Sequence, residues 1–322
     1  MSFITNIRSV AKYESKILVR SWFFRIFTLL AVVFLGFFNF AMMLMEDNFG
    51  LWFAKSVSSN IPYLNLLLLN TGQAVVAVFL SSEFLKRDKK LDTSEVFYVR
   101  PLSNAEYVVG KIWGNLRVFL FLNLLVLAIV LAFNFMASGV TVDLPAYLVY
   151  FFLISIPTLI FIIGLSIFLM LLLKNQALTF ILLLGYIGLT LFYIQDKFYY
   201  LFDYMVYNLP LFKSTIVGFS NLELILNHRA IYFFAGLGFI FFTIFLFKRL
   251  PNARRSHYPW LFLSFCMFLL MVTAGFRHVR SILWEGEMRA LYTSINNKYV
   301  YEPKMAIDYY DISVEQKSET IR

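Results

Sequence analysis

The residues best suited to chemistry lie in a charged segment, residues 83–111, which reads EFLKRDKKLDTSEVFYVRPLSNAEYVVGK between two long apolar runs. It contains eleven side chains of Asp, Glu, Lys or Arg, in which acids are mixed with bases. Connections between helices are typically about 2–8 residues long, so this segment is longer than a chain reversal requires. Mixed charges of this kind suit a complementary surface on a protein partner. The segment is therefore the first candidate for a docking site.

Motifs for covalent chemistry are absent from the sequence. The Gly110-Lys111 pair has Ala105 where the first glycine of a phosphate-binding loop would stand. No H-E-x-x-H or paired C-x-x-C motif occurs, and the single cysteine, Cys266, lies inside an apolar run. The three histidines, which we place near different membrane ends, are His228, His257 and His278. We expect no metal site, no cofactor and no enzymatic activity in this chain.

Composition predicts an integral membrane protein. The chain has 322 residues, of which 60% are hydrophobic and 15% are charged, and its mean hydropathy is +0.73. Soluble domains carry about 25% charged residues. The net charge of +9 would suggest nucleic acid as a partner of a soluble protein, but Lys and Arg also gather in the cytoplasmic loops of membrane proteins. We expect a lipid membrane, and no nucleic acid, as the partner.

Seven apolar runs are long enough to cross a hydrocarbon core of about 30 Å as helices. The predicted spans are 26–46, 61–82, 118–138, 147–173, 177–195, 230–247 and 259–276. Pro157 interrupts the fourth span, which is tolerated where neighbouring helices bond the freed carbonyl. Three residues, 174–176, separate the fourth and fifth spans, so these should form a tight hairpin. No span centre carries an ionisable residue, which argues against an ion-coupled carrier or channel.

The distribution of Lys and Arg predicts the orientation. Basic residues are far more frequent in the segments that lie inside when the N-terminus is cytoplasmic than in the outer loops. Seven spans then place the C-terminal tail outside. The expected fold is all-α, with about seven transmembrane helices, an N-terminal amphipathic helix and a short outer β-rich tail.

Three segments flank the spans. Residues 1–25 carry bases four residues apart, at Arg8, Lys12, Lys16 and Arg20, and predict an amphipathic helix on the inner membrane surface. Residues 196–229 are aromatic with polar flanks, and we expect short helices or a re-entrant hairpin there. Residues 277–322 favour β-branched and aromatic residues typical of strands, and either pack on the spans or begin a larger outer domain. The transmembrane domain itself would cover 26–276.

Polar residues in the second span are candidates for a translocation path. Asn70 and Gln73 are three positions apart and share one helix side. They are expected to lie in a protein interface or passage, because amides facing lipid would leave buried donors unpaired. Hydrogen bonding between helices and contact with a substrate both remain open interpretations.

The end of the charged segment predicts a break followed by a helix. Pro101 biases Arg100 away from helical conformation, and Ser103 or Asn104 can cap the helix that follows. A guanidinium beside a rigid proline turn presents a fixed fork to a carboxylate, so Arg100 is the best single docking candidate. The Gly110–Gly114 spacing permits a close helix approach, although a single G-x-x-x-G match is a weak signal.

The arrangement resembles the permease subunits of type-2 ABC exporters, especially forms found in Bacteroidetes-like bacteria. The resemblance is carried by the N-terminal helix, by Glu83-Phe84-Leu85 and Arg87-Asp88, and by LDTSEVFYVRPLSNAEYVVGK. It extends over residues 1–276 in span layout but is specific only across 83–111. Most such permeases have six spans, whereas seven are predicted here. The tail resembles the start of a fused periplasmic domain, and the zinc-aminopeptidase motif that some relatives carry is absent.

The resemblance implies a membrane subunit of an ATP-driven exporter in a bacterial inner membrane. ATP would be bound and hydrolysed by a separate ABC ATPase subunit, and the permease would pair as a homodimer or heterodimer. The candidate ATPase-coupling residues are Glu83, Arg87, Asp88, Asp92, Glu95, Arg100, Pro101 and Lys111. The alternative is a membrane anchor or scaffold that carries an outer domain without transporting anything.

Overall fold

A computed structural model of the chain describes most of the predicted spans. The described residues are 3–44, 59–90, 102–136, 142–194, 196–209, 211, 213–214, 218–219, 221–247, 258–302, 309, 311, 316–317 and 320–321, with the backbone alone for 81–90, 316–317 and 320–321. Eight long helices account for nearly all of them. They are α1 (Phe3–Arg20), α2 (Trp22–Leu44), α3 (Asn60–Lys90), α4 (Asn104–Met136), α5 (Leu144–Leu173), α6 (Gln176–Ile194), α7 (Leu222–Leu246) and α8 (Tyr258–Lys298).

Helices α2 to α8 are each long and apolar enough to cross a membrane, which confirms the predicted number of spans. The all-α membrane fold is therefore confirmed, and the N-terminal helix is present. Two helices begin at least eight residues before the predicted spans do. Helix α4 begins at Asn104 instead of 118, and α7 begins at Leu222 instead of 230. Both extensions contain charged residues, which hydropathy assigns to loops.

Local sequence explains where several helices start. Ser103 and Glu106 form a capping box on α4, because the Ser103 hydroxyl accepts from the Glu106 N–H at 3.2 Å and the Glu106 carboxylate accepts from the Ser103 N–H at 2.6 Å. This confirms Ser103 as the cap. Lys174 ends α5 in the left-handed conformation, and the Asn175 side chain caps α6. The predicted tight hairpin is therefore present.

The break in α5 has the form that its proline predicts. A π-helical stretch, Phe151–Ser155, precedes the helical segment Ile156–Leu173, in which Pro157 lies in the first turn. Pro157 has no N–H to donate to the carbonyl of Leu153 four residues earlier. That carbonyl accepts instead from Nε of Arg229 on α7, at 2.6 Å. A neighbouring helix therefore bonds the freed carbonyl, as predicted.

Strands are short in the described part of the chain. β1 (Lys213–Ser214) pairs antiparallel with β2 (Gly218–Phe219), and β3 (Gln316–Lys317) pairs antiparallel with β4 (Thr320–Ile321). The seventh span was predicted to end at about 276, whereas α8 continues as helix to Lys298. The prediction of strands in 277–322 is therefore wrong for 277–298, which are helical, and for 299–302, which form a turn, and most of 303–322 lies outside the described residues.

Side-chain contacts define the two ends of the bundle. At one end, which we call the α1 end, Asn104 of α4 donates to the carbonyl of Phe247, the residue that follows α7. At the opposite end, Ser59 donates to the carbonyl of Lys213, and the Lys213 ammonium binds Asp143 at 2.6 Å. The charged segment between α3 and α4 therefore joins the bundle at the α1 end.

Candidate functional site

The end of the charged segment leads directly into a tight pairing of α1 with α4. Cβ atoms placed on Gly110 and Gly114 would lie 2.7 Å from the Cβ atoms of Val10 and Glu14, so only glycine permits the observed approach. The G-x-x-x-G spacing thus serves the N-terminal helix. The buried side of α1 packs on α4, which explains its amphipathic pattern through a protein contact.

Polar contacts fix the two helices in register. Asn6 donates to the Glu106 carboxylate at 2.8 Å, which joins α1 to the capping box of α4. Further along, the Ser15 hydroxyl donates to the carbonyl of Gly114 at 2.6 Å, and Arg117 donates to the carbonyl of Ala11 at 2.8 Å. These bonds extend over the first four turns of α4 and hold α1 as part of the bundle.

Lys111 is the predicted coupling residue whose side chain the structure describes. It is 3% exposed, and its ammonium lies 3.6 Å from the Glu14 carboxylate and 5.1 Å from the centre of the Tyr107 ring. The structure thus gives Lys111 partners within the chain, between α1 and α4. Because such a buried pair loses the hydration of both ions, removing either partner alone would leave an uncompensated charge.

The other predicted coupling residues are not brought together by the described part of the chain. Glu83, Arg87 and Asp88 lie on the last two turns of α3, where the backbone alone is described. The predicted residues that lie outside the described residues are Asp92, Glu95, Arg100 and Pro101.

Asn70 and Gln73 lie in a buried amide cluster, which we define as Asn70, Gln73, Asn123 and Ser155. Gln73 donates to Asn70 Oδ1 at 2.7 Å, and Asn123 donates to Gln73 Oε1 at 3.0 Å. Ser155 donates to Asn123 Oδ1 at 2.8 Å. The cluster joins α3, α4 and α5, and Asn123 and Ser155 are members that the sequence analysis did not identify. Both predicted residues thus lie buried between helices, inside the bundle.

The amide cluster holds helices together by neutral hydrogen bonds. Asn70 is 1% exposed and Gln73 is 0% exposed in the interior of the bundle. In a low-dielectric interior each amide costs free energy unless it is paired, so the three helices are held in one register at this level. In the conformation observed, the cluster functions as an interhelical contact.

Between α6 and α7 the chain enters the bundle from the end opposite α1. We call residues 198–211 the outer segment. It begins with a 3-10 turn, Phe198–Tyr200, and then has irregular backbone whose side chains Tyr204, Met205 and Val206 are buried. The Thr71 hydroxyl of α3 contacts Met205 and Tyr207 of this segment. At 1.5 Å per residue, Thr71 lies about 16 Å along α3 from its start, so the segment reaches that depth in the bundle. The segment therefore packs into the bundle as turns instead of the expected short helices.

Arg229 of α7 is the main polar anchor of the outer segment, although it precedes the predicted span 230–247. The side chain is 2% exposed. Besides Leu153, its guanidinium donates to the carbonyl of Tyr204 at 2.8 Å and to the Thr158 hydroxyl at 2.8 Å. Arg229 therefore ties α7, the break in α5 and the outer segment together. A proline within a span, followed by a lone arginine at the edge of another, is the signal that would have located it.

Two histidines bond the first turn of the outer segment. His228 donates from Nε2 to the carbonyl of Tyr200 at 3.0 Å, and His278 donates from Nε2 to the carbonyl of Tyr199 at 2.9 Å. Their ring centres are 5.0 Å apart. The prediction that the histidines lie near different membrane ends is wrong for this pair. Helices α7 and α8 are antiparallel neighbours, so the start of α7 meets the later turns of α8.

The backbone of the outer segment is strained where these anchors bind. Phe198, Tyr199 and Tyr200 have φ values of 51°, 58° and 62°, and Val206 has a φ of 68°. Such left-handed conformations are costly for residues other than glycine, most of all for a β-branched valine, and persist where the surroundings fix them. Burial raises the pKa of the Asp203 carboxyl, an effect opposed by the backbone N–H of Asn208 and by the charge of Arg229.

The chemistry available to these sites is hydrogen bonding, ion pairing and mechanical linkage. Within the residues that the structure describes, no group of three or more His, Cys, Asp or Glu side chains is placed to hold a metal ion. Comparisons of the chain with protein-family models, with curated proteins and with solved structures found no match.

Proposed function

We propose that this chain is the membrane-spanning permease subunit of an ATP-driven, ABC-type exporter. A separate ABC ATPase would dock on the charged segment 83–111 and supply the energy. The permease would function as a homodimer or heterodimer in a bacterial inner membrane, with the N-terminus cytoplasmic and the C-terminal tail periplasmic. The expected fold and the resemblance across 83–111 support this proposal.

A single structural observation carries it, namely the way in which the end of the charged segment is attached. Asn104 donates to the carbonyl of Phe247 at 2.6 Å, and the Tyr107 ring stacks on that of Phe247 at 5.5 Å. The same turn of α4 is bonded to α1 through Glu106 and Asn6. A displacement applied at residues 102–104 would therefore move α1, α4 and the end of α7 together. Such an attachment suits the transmission of force from an external ATPase.

The direct test is purification of the full chain in mild detergent from its native host. A co-purifying ATPase with a phosphate-binding loop is the expected result. Arg100→Glu should weaken that association while membrane insertion stays normal, because the reversed charge repels a partner carboxylate. Arg280→Glu on exposed α8 is the matched control, since it makes the same charge change at the other end of the bundle. Absence of any ATPase from the wild-type preparation would contradict the proposal.

The orientation has its own experiment. With Cys266 replaced, a cysteine introduced at Ser318 should react with an impermeant thiol reagent on intact cells, and one at Ser94 should not. The expectation rests on the excess of Lys and Arg in the predicted inner segments. The reverse labelling pattern would invert the orientation.

One observation favours the alternative, a membrane anchor for an outer domain. Helix α8 continues to Lys298, and residues 291–300 are exposed along their whole length. Asn221 at the start of α7 donates to Glu285 of α8 at 2.6 Å, so α8 extends beyond the level at which α7 begins. A projecting helix of this kind can hold an outer domain away from the membrane. If the outer domain binds its own partner normally and no ATPase co-purifies with the chain, the anchor function is favoured.

A further inference from the structure

We infer that the exposed face of α1 is a second docking surface, which binds an acidic face on the soluble ATPase partner. The inference rests on the proposed function, because that ATPase is the partner. It adds an element outside the charged segment 83–111. It also assigns to α1 a role different from that of a helix lying flat on the inner membrane surface.

The charge on this face is unbalanced. The exposed bases of α1, which we call the basic stripe, are Arg8, Lys12, Lys16 and Arg20. The single acid of α1, Glu14, is buried and lies 3.6 Å from Lys111. No ion pair with any of the four bases forms among the residues that the structure describes. Four cations at a spacing of four residues lie along one side of the helix, and their complement is a row of carboxylates.

The direction of α1 favours a protein over a lipid surface. Contacts pair Asn6 with Glu106, Val10 with Gly110 and Glu14 with Gly114, so the two helices run parallel. Helix α4 is one of the candidate membrane spans. Its partner α1 therefore runs along the axis of that span instead of lying flat in the plane of the membrane.

This direction separates the two ends of the basic stripe. Arg8 and Arg20 are about 18 Å apart along the helix axis at 1.5 Å per residue. Arg20 lies next to the start of α2, whereas Arg8 projects away from it. A flat layer of anionic headgroups would reach the Arg20 end alone. An acidic protein surface that lies beside the bundle can meet the whole stripe.

The attachment of α1 to α4 allows the basic stripe to transmit force from the ATPase. The opposite side of α1 is held on α4 by the bonds from Asn6, Ser15 and Arg117. Force applied to the basic stripe would therefore reach α4 at Gly114 and Arg117, beyond the end of the charged segment, as well as at Glu106 within it. The ATPase would then act on α4 at two places, through the charged segment and through α1. Two points of attachment transmit force to a helix more effectively than one does.

The test uses full-length protein in nanodiscs of neutral phosphatidylcholine, with the ATPase that co-purifies with the wild type. The variant is R8Q/K12Q/K16Q, in which Arg20 is kept because it adjoins α2. The control R280Q/R289Q/K298Q removes the same charge from exposed bases on α8. Each exposed pair contributes about 0.2–1 kcal/mol, so we expect the stripe variant to bind the ATPase about tenfold more weakly at low salt. The control should bind as the wild type does.

Each outcome has a defined meaning. Equal ATPase affinity of wild type and stripe variant would overturn the inference while leaving the proposed function intact. A wild type that binds no ATPase would overturn both. Retention of phosphatidylglycerol is measured in parallel by native mass spectrometry. If the stripe variant loses that lipid and keeps its ATPase affinity, the occupant is the membrane and the inference is wrong.

Discussion

The contact between Arg229 and the break at Pro157 gives a quantitative prediction. Arg229→Met removes the guanidinium and keeps a long side chain in the same space. Three short bonds are lost, to the carbonyls of Leu153 and Tyr204 at 2.6 Å and 2.8 Å and to the Thr158 hydroxyl at 2.8 Å. Bonds to charged groups contribute about 1.5–3 kcal/mol each. The substitution also removes the cost of burying a cation, which offsets part of that loss. We therefore expect the free energy of unfolding to fall by about 3 kcal/mol.

The same contact predicts a partial rescue. Pro157→Ala supplies the N–H that the Leu153 carbonyl lacks, so the double variant should regain about 1 kcal/mol relative to the sum of the single changes. Pro145→Ala is the matched control, because Pro145 lies in the first turn of α5, where its N–H would have no helical partner. Its effect should add to that of Arg229→Met without any rescue.

The assay is reversible unfolding of the full chain in mixed micelles of mild detergent and dodecyl sulfate. Four proteins complete the cycle: the wild type, the two single variants and the double variant. The control cycle replaces Pro157 by Pro145. Additivity within about 0.5 kcal/mol in the Pro157 cycle would refute the assignment of the freed Leu153 carbonyl to Arg229.

Three further predictions use the same unfolding measurement. Gly114→Ala should destabilise the protein by about 1–3 kcal/mol, because its Cβ would lie 2.9 Å from the Ala11 carbonyl oxygen, whereas Gly188→Ala meets nothing within 4 Å and should be neutral or slightly stabilising. Gln73→Leu should cost about 1–3 kcal/mol, since it removes the bond to Asn70 Oδ1 within the amide cluster; an unchanged stability would contradict the cluster's structural role. Ser103→Ala should lower the free energy of unfolding by about 1 kcal/mol through loss of the α4 cap, whereas Ser103→Thr should keep most of that stability.

The spans were predictable from sequence because long apolar runs report burial in lipid directly. The positions at which helices begin were less so. Lys111, Arg117 and Arg229 lie inside helices, yet their charges made them loop residues in the hydropathy pattern. Each has a partner on another helix or segment, and a hydropathy window contains no information about such partners. The errors at α4 and α7 therefore have one physical cause.

The candidate sites were likewise predictable from sequence only in part. Asn70 and Gln73 were identified because amides inside an apolar run are conspicuous. Their partners Asn123 and Ser155 were not, since which helix faces which is decided by packing. The His228–His278 pair depends on the antiparallel pairing of α7 and α8 and has no local signal. Pro157 did predict a donor from a neighbouring helix, although the sequence did not identify that donor as Arg229.

The outer segment has a consequence for the order in which the protein is made. Its carbonyls at Val206 and Leu211 accept from Tyr63 and Tyr150, which precede it in the chain. The carbonyls of its first turns accept from side chains that the ribosome adds later. These late donors are His228, Arg229, Tyr232 and His278.

Synthesis therefore leaves the first turns of the outer segment without these late donors until α7 and the first half of α8 have been inserted. Unpaired carbonyls are costly in lipid, so we expect the segment to wait in water or beside the insertion machinery until then. Insertion of the hairpin formed by α7 and α8 completes the bundle. A nascent chain that stops before His278 should be the form most readily degraded by the cell's membrane proteases.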